Sequence, residues 1–373
     1  MERPLLFKAC PELKGKVDWM PLGEYPTPVA RLEGLCAAEG LRDFYIKRDD
    51  LSSPFYGGNK VRKLEFILAR ARARGHDSVL TYGAVGSNHV LATVIHGERA
   101  GLKTIALLAP QPNAAYVRKN LLLDEAHGAE FAIAKSMGAI PVALVKGMLS
   151  GFDASKIKFP YLVPPGGSYL WGSLGYIDAA LELKEQVDAG LLPEPEHIFV
   201  TYGSGSTAAG LIAGVQLAGL SSRVVPVRVV DKIACNRWIL DYHVNRVIRF
   251  LNANCRGARL QHVRAGEIML IDEFAGPTYA RFTPEGMEAV RKAREYDDVK
   301  LDGTYTGKTL AAALDFISRN GLEDRPALFW NTLSSVDLYP QVCDADYHTL
   351  PLELHRYFEE PLQEEGLGCE IIY

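Results

Sequence analysis

Lys60 stands in the run FYGGNKVRKLE, directly after Gly57-Gly58-Asn59 and at the expected first turn of a helix. A lysine amine acts as nucleophile or base only when its pKa falls from about 10.4 toward neutrality. The positive end of a helix dipole opposes an ammonium and pushes in that direction. A lone lysine is more readily an ordinary solvated one, and Lys63, one turn further on, has no glycines beside it. A second constellation is Gly203-Ser204-Gly205-Ser206-Thr207, set between an apolar strand run and a helical run. Backbone N–H groups at a helix N-terminus, joined by three hydroxyls, can hold a phosphate dianion, and glycines let the chain approach it. The same residues would also make a tight turn with a serine cap. They are not a dinucleotide fingerprint, because Ala208 stands at the last glycine position and no acidic residue follows at the required offset. Ser87, Asn88 and His89 close the turn GAVGSNHV after another apolar run. Ligands bind at such strand ends in open α/β sheets. There Asn88 can donate to an oxygen and Ser87 can relay a proton; helix capping and a packed His89 are the plainer alternatives. Tyr279, Tyr305 and Thr306 carry no signal individually, since core tyrosines commonly keep a polar tip.

The elements that must position these groups alternate between strand and helix. A helix begins at Asn59, a potential cap, shows Val61, Leu64, Ile67 and Leu68 on one face, and ends at Gly75. Strands follow at 78–82, 103–109 and about 129–134, separated by helices running to about Arg99 and over about 114–126. A second set has a helix over about 173–189, a strand at 197–202, a small-residue helix after GSGST, and a strand at 223–230. Residues 235–264 read as mostly helical. The Gly- and Pro-rich LVPPGGSYLWGSLG between the two sets suits a hinge or domain crossing. The order predicts an α/β protein with parallel sheets and crossover helices.

A chain of 373 residues suggests two domains or one large split fold. Hydrophobic content of 48% and charged content of 23% are those of a globular protein. The net charge of −4 and the dispersed basic residues give no footprint for nucleic acid. Six cysteines lie far apart without a Cys-x-x-Cys pair, which predicts reduced thiols rather than disulfides or a zinc site. The histidines form no His-Glu-x-x-His arrangement, so no metal is expected. No apolar run approaches the ~18 residues of a membrane helix, and the N-terminus shows no signal peptide. A cytoplasmic protein without a membrane partner is expected. An acidic tail follows Phe358, which a solvated face explains.

Six ordered blocks, YIKRDDL, YGGNKVRKLE, GAVGSNHV, PPGGSYLWGSLGY, TYGSGSTAAGLIAG and DGTYTGK, together resemble the 1-aminocyclopropane-1-carboxylate deaminase and D-cysteine desulfhydrase family. They run from Pro26 to about Ser334. The resemblance implies a fold type II pyridoxal 5'-phosphate enzyme with two open, twisted, mainly parallel sheets and flanking helices. A smaller domain over 59–175 would be inserted into a larger cofactor-binding one over 1–58 and 176–373. It implies that Lys60 carries the cofactor as a Schiff base and takes the α-proton of the substrate. Asn88 would hold the phenolic oxygen, and Gly203, Ser204, Gly205, Ser206 and Thr207 the phosphate. Thr306 would meet the pyridine nitrogen. Ser87 would contact substrate, together with Asn88, His89 and Thr332; Tyr305 and Tyr279 would be the active-site tyrosines. The family also implies a homodimer and a small amino-acid substrate.

The sequence departs from the family at two places. Gly86 replaces the usual Gln before Ser87-Asn88, and Asn331-Thr332-Leu333-Ser334 replaces a block that ends in two glycines. Deaminases of the cyclopropane amino acid carry glutamate where Thr306 stands. A threonine hydroxyl only hydrogen-bonds, so a neutral ring and a weaker electron sink are expected. A weaker sink suits α,β-elimination, in which the leaving group drains the carbanion, and Thr332 matches the desulfhydrases. The expectation is therefore elimination from a small amino acid such as D-cysteine, giving pyruvate, ammonia and sulfide. Cyclopropane ring opening to 2-oxobutyrate is the alternative within the fold. A cofactor-binding protein with lost or regulatory activity is the alternative outside it.

Overall fold

A computed structural model describes residues 4–233 and 235–363. The helices are α1 (Leu5–Ala9), α2 (Glu33–Glu39), α3 (Asn59–Ala73), α4 (Asn88–Arg99), α5 (Ala115–Ala126) and α6 (Ile140–Ser150). They continue as α7 (Leu170–Asp188), α8 (Ser206–Ala218), α9 (Arg237–Asn254), α10 (Pro284–Asp297), α11 (Thr306–Arg319) and α12 (Leu352–Glu359). The strands are β1 (Val29–Arg31), β2 (Phe44–Arg48), β3 (Ser78–Ala84), β4 (Lys103–Ala109) and β5 (Glu130–Ile133). After them come β6 (Tyr161–Val163), β7 (His197–Tyr202), β8 (Arg223–Arg228) and β9 (Ala327–Asn331).

The chain divides into two compact units, Met1–Phe66 with Ser168–Ser335, and Ile67–Gly167 with Val336–Tyr373. The second crossing falls inside the Gly- and Pro-rich segment. The expected division put everything after 176 in the larger unit. In the structure the C-terminal segment groups instead with the smaller one. Local hydrogen bonds account for this. Asn113 Nδ2 donates to the carbonyls of Tyr357 and Glu360 at 3.0 and 2.9 Å, and Arg118 Nε to that of Tyr357 at 2.8 Å. Of the acidic tail, only the part up to Gln363 lies within the described residues.

The larger unit holds a five-stranded sheet in the order β1-β2-β9-β7-β8. All neighbours are parallel except β1, which pairs antiparallel with β2 at the edge. Every residue of β7 and β9 is buried, as expected of central parallel strands covered on both faces. Helix α8 packs on α7 through its small residues: a Cβ on Gly210 would come within 2.4 Å of the Ser173 carbonyl oxygen. The smaller unit holds a four-stranded parallel sheet, β5-β4-β3-β6. These are two mainly parallel sheets with flanking helices, as expected.

Two features depart from the sequence reading. Cys10 and Cys255 are joined in a disulfide that ties the end of α1 to the end of α9, so not all thiols are free as expected. Cys36, Cys235 and Cys343 are unpaired among the described residues, and Cys369 lies outside them. The second is a buried charge cluster in the larger unit. Lys47 and Arg62 face Asp49 and Glu182, with none of the four more than 1% exposed. Tyr176 and Trp330 each donate to Asp49 Oδ2 at 2.7 Å. Burial pulls the Lys47 ammonium down to about 8 against the attraction of Glu182. Among the described residues, no helix is long and apolar enough to cross a membrane, and no cluster of His, Cys, Asp and Glu could hold a metal ion.

Candidate active site

In the larger unit, Lys60 sits in the first turn of α3, after a loop clasped from two sides. Gly58 N–H donates to the Asp49 carbonyl at 2.8 Å, and Ser52 Oγ donates to the Gly58 carbonyl at 3.0 Å. From the other side Asn59 N–H donates to the Thr332 carbonyl at 3.1 Å, and Gly57 N–H to Ser334 Oγ at 2.9 Å. Gly58 has φ +88°, and a Cβ there would come within 2.8 Å of the Thr332 carbonyl oxygen, so only glycine fits. Ser334, one of the two residues standing where the resemblance places glycines, thus helps to hold the lysine loop.

Lys60 itself is half-buried, and its Nζ donates to Asn59 Oδ1 at 2.7 Å. Asn59 Nδ2 in turn donates to Thr207 Oγ1 at 3.0 Å. Asn59 was expected as a helix cap; its side chain instead links the lysine to the Gly203–Thr207 turn. Burial lowers the Lys60 ammonium to about 8, opposed by the carboxylate of Asp302. Lys63 is 2% exposed and is pushed well below the usual lysine range by burial and by the charge of Lys60. It lies closer to this chemistry than its lack of adjacent glycines suggests.

The turn between β7 and α8 places Gly203 and Ser204 half-buried and Gly205, Ser206 and Thr207 buried. Gly205 precedes α8 with φ +106°, a conformation that L side chains rarely adopt. Ser206 N–H donates to Ser168 Oγ at 3.3 Å. Cys235 Sγ bonds the Gly203 carbonyl, and burial drives that thiol up to about 12, which leaves it a packing group.

Tyr279 and Tyr305 are half-buried and share a hydrogen bond between their hydroxyls. Burial raises the Tyr279 phenol, and its bond to Tyr305 acts the other way. Thr306 opens α11 and is fully buried. Its hydroxyl accepts from Asp302 N–H at 2.8 Å and donates to Asp302 Oδ2 at 2.9 Å. The sequence reading of Thr306 leaves out this carboxylate; the i, i+4 spacing inside DGTYTGK is the signal that could have found it. Lys308, also buried, donates to the Ala275 carbonyl at 2.7 Å, at the start of the loop that carries Tyr279. Burial brings its ammonium to about 8, opposed by Asp302. Thr332 is 9% exposed, with Oγ1 at 3.5 Å from Thr201 Oγ1.

In the smaller unit, Ser87 caps α4, accepting from the N–H groups of His89 and Val90 at 3.3 Å. Asn88 follows at the first helical position and is half-buried. His89 is 4% exposed and its Nε2 bonds Thr81 Oγ1 at 2.9 Å. This sets the imidazole against β3. Gly86 has a steric reason: a Cβ there would lie 2.6 Å from Tyr116 Cε2.

The larger unit therefore brings together an amine near neutrality, a glycine turn at a helix N-terminus and a tyrosine pair. Residues 20–332 match the family model described as "Pyridoxal-phosphate dependent enzyme". The chain belongs to this family. A pyridoxal-phosphate-dependent enzyme needs an aldehyde-reactive lysine and a phosphate cradle, and these residues fit that cofactor. A solved structure described as an ACC deaminase homologue is 29% identical over 91% of this chain and 98% of that one, with a TM-score of 0.75. Threonine deaminase isoform 2 from Solanum lycopersicum, in its processed form, shares 15% identity over 96% of this chain and 89% of its own, with a TM-score of 0.57. A fungal L-serine ammonia-lyase from Rhizomucor miehei shares 16% over 91% and 99%, with a TM-score of 0.58. The last two bear on the fold alone, and that fold is type II.

Proposed function

We propose that this enzyme carries out α,β-elimination on a small amino acid such as D-cysteine, with water yielding pyruvate, ammonia and sulfide. The observation that carries the reading is the half-buried Lys60 amine at about 8, bonded to Asn59 and through it to the Gly203–Thr207 turn. When bound, pyridoxal phosphate supplies the electron sink that stabilises negative charge at the substrate's α-carbon. Lys60 would hold the cofactor, and its amine would accept the α-proton of the substrate. An amine with a pKa near the working pH is suited to that transfer. Backbone N–H groups of the turn, with the hydroxyls of Ser204, Ser206 and Thr207, hold the phosphate. Asn88 donates to the phenolic oxygen. Ser87 accepts two long N–H bonds and keeps its own proton for the substrate carboxylate. The Tyr279–Tyr305 pair protonates the departing group.

The choice of elimination rests on Thr306 and Thr332. A hydroxyl at 306 favours a protonated ring nitrogen less than a glutamate would, so a good β-leaving group is what such a site handles best. Homodimer formation and a cytoplasmic setting belong to the same reading.

Turnover of a small amino-acid panel tests it, with pyruvate and 2-oxobutyrate read separately. D-cysteine or β-chloro-D-alanine should release pyruvate much faster than the cyclopropane amino acid releases 2-oxobutyrate. Thr306→Glu should shift that ratio toward ring opening, each tenfold change corresponding to about 1.4 kcal/mol of differential barrier. Faster 2-oxobutyrate release by the unaltered enzyme would establish the ring-opening alternative. Retained cofactor without any turnover would favour a binding protein.

A further inference from the structure

Asn120, on α5 of the smaller unit, is 2% exposed. Its Nδ2 donates to the carbonyl oxygen of Gly86 at 3.0 Å and to Asn88 Oδ1 at 3.2 Å. A backbone carbonyl can only accept, so the nitrogen of the Asn120 amide must be the atom on this side. An amide nitrogen only donates, so the atom Asn88 turns toward it must be its oxygen. The amide of Asn88 is thereby set with Nδ2 directed away from Asn120. The other flank of the turn is braced as well. Gln111 Oε1 accepts from Gly86 N–H at 3.2 Å, while its Nε2 donates to Tyr116 Oη at 2.7 Å.

We propose that Asn120 is a positioning residue that fixes Asn88 as a hydrogen-bond donor toward the cofactor's phenolic oxygen. This rests on the role given to Asn88 above. A phenolate is stabilised by an N–H donor and repelled by an amide oxygen, so the orientation of one amide decides which form of the phenol is favoured. Without Asn120 the Asn88 amide loses the donor that holds its oxygen on that side. With a carboxylate in its place, the amide is drawn round to present its oxygen.

The test reads the bound cofactor's absorption at fixed pH in the intact holoenzyme, as the ratio of the long-wavelength phenolate band to the short-wavelength neutral-phenol band. Asn88→Ala, Asn120→Ala and Asn120→Asp are compared, with cofactor content checked by mass. Asn120→Ala should lower the ratio about tenfold, the scale of one hydrogen bond to a charged group. Asn120→Asp should lower it at least as far. Should the charged variant fail to fold, the alanine variant carries the test alone. If Asn88→Ala lowers the ratio while the Asn120 variants match the unaltered enzyme, Asn120 does not orient Asn88 and the proposal falls. It falls equally if the Asn120 variants lose only cofactor retention or thermal stability, as a plain structural brace would. If Asn88→Ala itself leaves the ratio unchanged, the role of Asn88 is wrong and the proposal falls with it.

Discussion

Lys60 and Asp302 are coupled through their charges in the larger unit. Burial lowers the lysine to about 8, and the Asp302 carboxylate pulls the other way by favouring the ammonium. Covalent capture of pyridoxal phosphate by the cofactor-free chain, trapped with borohydride, should therefore rise with pH through about 8. Asp302→Asn removes the opposing charge and should move the midpoint to lower pH. The asparagine keeps an oxygen for the N–H groups of Thr304 and Tyr305, so the turn it supports should persist. A midpoint that stays in place or moves upward would show that Asp302 does not act on Lys60. Lys60 drew attention through its glycines but took its expected role only from the family resemblance, and Asp302 drew none. An aspartate ahead of a helix reads as a capping turn, and its charge matters here only because folding brings it near the half-buried Lys60 and the buried Lys308.

At the scale of elements, the Gly203–Thr207 turn and the Ser87–Asn88 turn occupy equivalent strand-to-helix positions with different proposed tasks. Gly205→Val forces a side chain into φ +106°, a strain of about 1–3 kcal/mol, and crowds the place where a phosphate would approach. Cofactor retention, followed by dialysis and absorbance, should fall sharply. Ser87→Ala removes the α4 cap, which costs about 1 kcal/mol of stability, and should lower turnover while the cofactor stays bound. Equal loss of cofactor in both variants would contradict this division of roles. The strands leading into these turns, β3 and β7, were legible as apolar runs. Strand β2 was hidden by Lys47 and Arg48, since a buried lysine interrupts the apolar signal until Glu182 is known to meet it. Strand β9 is five residues long, and only its last residue, Asn331, was read, as part of a motif. Helix α6 has few polar positions, so its sequence shows no clear helical period.

For the molecule as a whole, the cysteines show what spacing cannot reveal. Cys10 and Cys255 are 245 residues apart in sequence and meet only because α1 and α9 both end in the larger unit. Closing so long a loop should stabilise the fold by up to about 5 kcal/mol on chain-entropy grounds. Cys10→Ser, or treatment with reductant, should lower the denaturation midpoint. Equal midpoints with and without the pair, in protein shown by thiol titration to be oxidised, would contradict a stabilising role. Of the chain's lysines, Lys60 is the one proposed to hold the cofactor. Purified protein carrying pyridoxal phosphate should lose its visible absorption on borohydride reduction, and peptide mass should place the pyridoxyl group on Lys60. A label on Lys47, Lys63 or Lys308 instead would contradict that assignment.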